Sequence, residues 1–296
     1  MDFFKRNILW VIAFALAVLF FGGYCFLLSP PANFPSGSII VIAQGTSTPD
    51  VAKELADAHV IAHPSFLRLV LRVSGKSNQI PAGAYRFETP QNLFVIAYRL
   101  VTGAFDLPLV RVTFPEGTTV QDAAEQIADA FPTLSVKDFV SAGKSYEGYL
   151  FPDTYFFQPG IDSASIVKTM RANFDAKTAP LSGEIQAFGH SLSDTVILAS
   201  LVEKEARTDA DKRIVAGILW NRLTLGMPLQ VDASRDTYTY VGLPPTPICN
   251  PGLDSIEAIL RPTKTDYLYY LTGKDGLMHY ATTFAGHQAN LRKYLN

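Results

Sequence analysis

The run Val196-Ile197-Leu198-Ala199-Ser200-Leu201-Val202 is apolar except for one serine, and it leads straight into Glu203-Lys204-Glu205. In a helix, neighbouring side chains are turned by about 100°. Glu203 then follows Ala199 and Val196 on the apolar stripe, while Lys204 and Glu205 fall off it. A carboxyl group on a buried stripe loses its water, which raises its pKa and keeps the proton on near neutrality. Such a group can give a proton to a leaving oxygen and take one back. Glu203 is therefore the candidate catalytic residue. The competing reading pairs it with Arg207, one turn further on, at a solvated rim.

No other constellation competes with it. The sequence holds no G-x-S-x-G and no H-E-x-x-H. His59, His63, His190, His279 and His287 are scattered, and His279 and His287 lack helical ligand spacing, so no metal is expected. His279 reads as a structural or substrate-contacting side chain. Gly22-Gly23 lies inside an apolar run and makes no phosphate loop. Cys25 and Cys249 stand far apart in unlike surroundings and read as two unpaired small hydrophobes. No cofactor is expected. A net charge of −2 leaves no basic excess for nucleic acid and fits an uncharged polymer.

The elements that position these residues start at the N-terminus. Residues 8–28 carry no charge. At about 1.5 Å per residue such a run matches a hydrocarbon core of about 30 Å. Lys5 and Arg6 precede it, so the positive-inside rule leaves the N-terminus in the cytoplasm and the rest outside. A cleaved signal would have a shorter apolar core and an A-x-A-like site, whereas this run ends in Ser29-Pro30-Pro31. Residues 29–37 read as a linker.

A weak repeat follows. Ile39-Ile40-Val41-Ile42 leads through Gly45-Thr46-Ser47-Thr48 into a helix from Asp50. Val110-Arg111-Val112-Thr113-Phe114 leads through Gly117-Thr118-Thr119 into a helix from Asp122. Hydroxyls at 46–48 and at 118 or 119 can cap those helices. A second helix follows each, over 64–73 and 135–142. The strand-helix-helix plan resembles the small LysM-type carbohydrate-binding module; two α/β units that merely pack are the alternative. Between the units, 81–87 reads as turn plus strand and 91–102 as a helix. Further helices are expected over 163–177, 181–188, 193–206, 211–225, 254–260 and 283–295, with strands over 266–271 and 279–282. The fold class is α+β.

The distal half resembles the endolytic murein transglycosylase family, the YceG-like or MltG type. The resemblance rests on ordered stretches. They are Glu147-Gly148-Tyr149-Leu150-Phe151-Pro152-Asp153-Thr154-Tyr155, then Ala199-Ser200-Leu201-Val202-Glu203-Lys204-Glu205-Ala206, then Asn221-Arg222-Leu223. Gly226-Met227-Pro228-Leu229-Gln230-Val231-Asp232, Gly242-Leu243-Pro244-Pro245, Asn250-Pro251-Gly252, and His279 before His287 complete the series. The N-terminal anchor also matches that family's layout.

The resemblance implies cleavage of the β-1,4 bond between N-acetylmuramic acid and N-acetylglucosamine in nascent glycan strands. The product ends in a 1,6-anhydromuramyl residue, and strand growth stops. One Glu serves as acid and then base, without the two-carboxylate arrangement of the hydrolases. Glu203 fits that role, and Glu147, Asn221, Gln230 and Asp232 match the pattern as cleft residues. The expected layout is a cytoplasmic tail (1–7), an inner-membrane helix (8–28), a linker (29–37), a LysM-like region (38–108) and a periplasmic YceG-like catalytic domain (109–296). The expected partners are glycan strands, the inner membrane and peptidoglycan synthases. Two alternatives stand: a scaffold that holds glycan or synthases without cutting, and a water-using muramidase. One departure bears on the choice. Asp232 runs almost straight into Ser234-Arg235-Asp236-Thr237-Tyr238, where family members carry roughly two dozen more residues. Asp236 stands for the usual Asn and Thr246 for a common Gly.

Overall fold

The computed structural model describes residues 2–43, 45–75 and 80–296. The architecture is mixed α+β, in two compact units. Unit one comprises 1–110 and 157–162, and unit two 111–156 and 163–296.

In unit one, α1 (Asp2–Leu28) contains the apolar stretch Trp10–Leu28, long and apolar enough to cross a membrane. The helix begins earlier than the charge-free run because straight-chain Lys5 and Arg6 are good helix formers. Cys25 contributes no described side chain. Next come β1 (Ser38–Ile42), α2 (Thr48–Asp57), α3 (Pro64–Val73), β2 (Gly83–Phe87) and α4 (Leu93–Thr102). β1 and β2 pair antiparallel, with Ser38 opposite Phe87 and Ile42 opposite Gly83. Ser47 caps α2 and Asn92 caps α4. The helices close over Val51, Leu55, Leu67, Leu71, Tyr85, Phe87, Ile96 and Leu100. Arg99 lies buried among them, donating to the carbonyls of Ala104 and Arg86 and pairing with Asp106 at 2.8 Å.

Unit two opens with β3 (Val110–Thr113), α5 (Val120–Ala130), α6 (Val136–Gly143) and β4 (Thr154–Phe157), and β3 pairs with β4. The repeat is thus a strand-helix-helix-strand plan used twice. Its turn chemistry follows the hydroxyl rule, since Thr119 forms a reciprocal capping box with Asp122. Then come α7 (Ser163–Thr178), α8 (Ser182–Phe188), α9 (Leu192–Glu205) and α10 (Asp209–Thr224). The chain closes with α11 (Leu253–Leu260), β5 (Tyr269–Thr272), β6 (Met278–Ala281) and α12 (Phe284–Tyr294). β5 and β6 form an antiparallel hairpin backed by α12.

α9 is the buried axis of this unit. Every residue from Thr195 to Val202 is buried, so the helix is covered all round and has no single apolar stripe. That is a tertiary override of the amphipathic reading: α10 and α11 both pack on α9. The polar residues at its C-terminus are left to meet whatever surrounds the helix end.

Candidate active site

Glu203 and Glu205 sit in the last turn of α9, and the structure gives them different surroundings. The side chain of Glu203 is 8% exposed. Three donors converge on it: the Lys212 ammonium at 3.2 and 3.3 Å, the Gly252 amide at 2.9 Å and the Ser255 hydroxyl at 2.6 Å. Its partner is Lys212 on α10, not Arg207. Lys212 also bonds Asp254 at 2.8 Å and lies 3.9 Å from Glu116. Burial works against the ammonium, but Asp254 and Glu203 outweigh it and push the Lys212 pKa up. Glu116 is pushed up as well, by burial first and then by the Asp254 and Glu203 carboxylates. Three carboxylates around one buried lysine form a structural knot. The lysine nitrogen occupies the point where Glu116, Glu203 and Asp254 converge. Gly252 has a steric reason to be glycine there: a Cβ would stand 2.1 Å from the Glu116 carboxylate.

Glu205 does not fall off the buried face into water. It is half-buried and lines two cavities, of about 480 and 740 Å³, and Asp232 and Thr272 line both with it. Its carboxyl is pushed above the ordinary carboxylate range, first by burial and then by the Asp232 charge. The Tyr270 hydroxyl and the amides of Ala233 and Asp232 pull the other way without cancelling the shift. Glu203 lines the larger cavity beside it. Because α9 is covered on all sides, the 100° rotation does not separate a buried glutamate from a solvated one.

The other expected residues divide. Gln230 and Asp232 line the smaller cavity with Arg222, Tyr238, Tyr269, Phe284 and His287. Gln230 holds φ at 50°, a left-handed conformation uncommon for a residue with a Cβ. It is fixed there by its amide to the Thr237 carbonyl and by Arg222 on its Oε1. Asp232 accepts from the Tyr238 hydroxyl, and with burial this lifts the Tyr238 pKa to about 12. Glu147 and Asn221 line neither cavity. Both Glu147 oxygens accept from the Val120 amide at the start of α5, and Asn250 donates to one of them. Asn221 donates to the carbonyls of Thr265 and Tyr267. His279 bonds Asp275 and stacks on Tyr294, a structural placement. Cys249 is a buried free thiol, its pKa raised to about 12 by burial.

The short link after Asp232 is a closed turn. Thr237 ties Arg235–Tyr238 back onto Val231 and Ser234, which brings Tyr238 to the cavity wall. Sequence reasoning missed Lys212, Asp254, Ser255, Arg222, Tyr238, Tyr269 and His287. Lys212 stands between Asp211 and Arg213, so nothing local set it apart. Arg222 is buried and donates to the carbonyls of Leu229 and Leu268, so it frames the cavity from behind. His287 stacks on Tyr269, and burial, then Arg222, lowers its pKa.

The model of the YceG-like family matches residues 40–236 and 235–293. The chain belongs to the YceG-like family. The two matched segments meet at Arg235 and Asp236, within the short turn. Among curated YceG-like relatives, the endolytic murein transglycosylase of Streptococcus pneumoniae strain D39 is 27% identical over 363 residues. That alignment covers 97% of this chain and 65% of the relative, so the chain spans about two thirds of that relative's length. The endolytic murein transglycosylase of Bacillus subtilis strain 168 is 28% identical over 306 residues, covering 87% of this chain and 84% of its own. A crystal structure of a yceG-like protein from Listeria monocytogenes superimposes with a TM-score of 0.57 at 27% identity. It covers 86% of this chain and 99% of the Listeria chain.

Proposed function

We propose that the chain is a lytic transglycosylase that cuts the MurNAc–GlcNAc β-1,4 bond of peptidoglycan strands and leaves 1,6-anhydro ends. The observation that carries this reading is Glu205, a half-buried carboxyl with a raised pKa between two cavities. Cavities of this size suit sugar rings on either side of the bond. Glu205 in its acid form gives its proton to the glycosidic oxygen as the bond to C1 breaks. The resulting carboxylate takes the proton from the C6 hydroxyl as O6 closes on C1. The proton is thereby restored and no water is consumed. The Asp232 carboxylate favours the positive charge that develops at C1. Glu203, held by Lys212, Gly252 and Ser255, fixes the end of α9 and hence the aim of Glu205. The acid expected at Glu203 thus becomes a positioning residue in this proposal.

The strand-helix-helix plan within 38–108 supports glycan holding in the LysM manner. α1 supports a single inner-membrane span, with the catalytic unit on the outer side and synthases within reach. A second reading, hydrolysis, draws on Asp232 as a second carboxylate.

The full chain in detergent should shorten purified glycan strands, seen by chromatography. A chain lacking 38–108 should sediment less with sacculi. Strands of unchanged length would leave a scaffold that holds glycan without cutting. Separately, a reporter enzyme fused after Asn296 should be active only outside the cytoplasm, and cytoplasmic activity would reverse the topology.

A further inference from the structure

We infer that the outer face of α3 and α4 is a lipid-docking surface that rests on the anionic headgroups of the membrane α1 crosses. This rests on reading α1 as a span. Leu69 and Val73 on α3 are 50% and 79% exposed, and Phe94 and Tyr98 on α4 are 49% and 67% exposed. These side chains sit at i and i+4 on each helix, and the helices pack on each other, with Phe66 and Phe94 in edge-to-face contact. Such a paired apolar strip facing water is costly for a soluble surface.

The strip lies where the apolar helix ends. Leu28, the last residue of α1, is buried in the same core as Leu67, Leu71 and Ile96. The His63 ring nitrogen Nε2 donates to the Phe26 carbonyl at 2.8 Å, and the two rings meet at 4.7 Å. α1 also packs on α4. The end of the span and the start of α3 are therefore at one depth, with no free linker between helix and core. Side chains near that depth meet the interface, where aromatic and basic residues are favoured. The charges agree. α3 carries exposed Arg68 and Arg72 and no acid, and α4 carries no acid, its one arginine being buried. An apolar strip flanked by arginines is the pattern of a helix lying on an anionic leaflet.

The test uses the full chain with Cys25→Ser and Cys249→Ala, and an environment-sensitive nitrobenzoxadiazole label at Tyr98→Cys or, in a second variant, Val73→Cys. It is reconstituted in vesicles of phosphatidylethanolamine and phosphatidylglycerol, with plain or brominated acyl chains. The expected result is blue-shifted emission that loses most of its intensity to bromine, with the loss reduced by Arg68→Glu plus Arg72→Glu. Water-like emission at both positions would overturn the proposal. So would apolar emission indifferent to bromine, which would assign the strip to a protein partner or a second copy. Resistance of the floated chain to alkaline carbonate reports the span independently. A chain that washes off has lost the spanning reading, and the lipid surface falls with it. A chain that stays on but shows a water-exposed label has lost the lipid surface alone.

Discussion

Glu205→Gln should lower the rate of strand cleavage by at least ~10²–10⁴-fold, the usual contribution of a general acid–base group. The loss should reach the upper end because one group serves both half-reactions. The amide keeps the size of the side chain but has no proton to give. Glu203→Gln should behave differently. It keeps an acceptor for Gly252 and Ser255 and loses the ion pair with Lys212, so it should cut measurably while unfolding at a lower temperature. Glu205→Gln should be as stable as the wild type or more so at neutral pH. The sign follows from the shift. The folded pKa of Glu205 is raised above its unfolded value. The stability it contributes is present below the unfolded pKa and is lost as pH rises through the folded one. Glutamine does not titrate and so escapes that loss. Wild-type activity should likewise fall as pH rises through the raised pKa. Cleavage assays with each variant across pH, with thermal unfolding as the control, check all of this. Full activity in Glu205→Gln would remove it as the acid.

Lys212→Met should cost about 3–5 kcal/mol of stability, the range for breaking one partner out of a buried ion pair. Lys212 is 4% exposed and Glu203 8%. Asp254 and Glu116 are 34% and 50% exposed and can turn to water, so Glu203 carries most of the penalty. For a chain of this size the melting temperature should fall by roughly 10 °C. The double change Lys212→Met with Glu203→Gln should recover part of that, because no uncompensated charge is then left at Glu203. The double-mutant cycle read by thermal unfolding gives the coupling. A single lysine change that leaves the melting temperature in place would show that the knot holds nothing.

The architecture was legible wherever local rules decide it. The two strand-helix-helix runs, their hydroxyl caps at Ser47 and Thr119 and the bounds of α3 all follow from turn chemistry and periodicity. The pairing of β1 with β2 and of β3 with β4 was not legible, because it joins segments separated by two helices. The candidate site was half legible. The Glu-Lys-Glu turn, Gln230 and Asp232 were found from their place in a family pattern. The surroundings of the two glutamates were not, because they depend on α10 and α11 bringing Lys212, Gly252 and Ser255 to Glu203. Glu147 and Asn221, from the same pattern, each tie distant backbone together. A pattern of residue types does not distinguish a side chain that faces substrate from one that holds a loop.

In the proposed reaction one carboxyl group, Glu205, closes a sugar hydroxyl onto C1 without water. Digestion of purified glycan strands by the full chain in heavy-oxygen water, read by mass spectrometry of the new ends, tests it most directly. The expected products are anhydro-ended fragments that carry no solvent oxygen. Reducing ends carrying the heavy oxygen would contradict it and make Asp232 and Glu205 the paired carboxylates of a hydrolase.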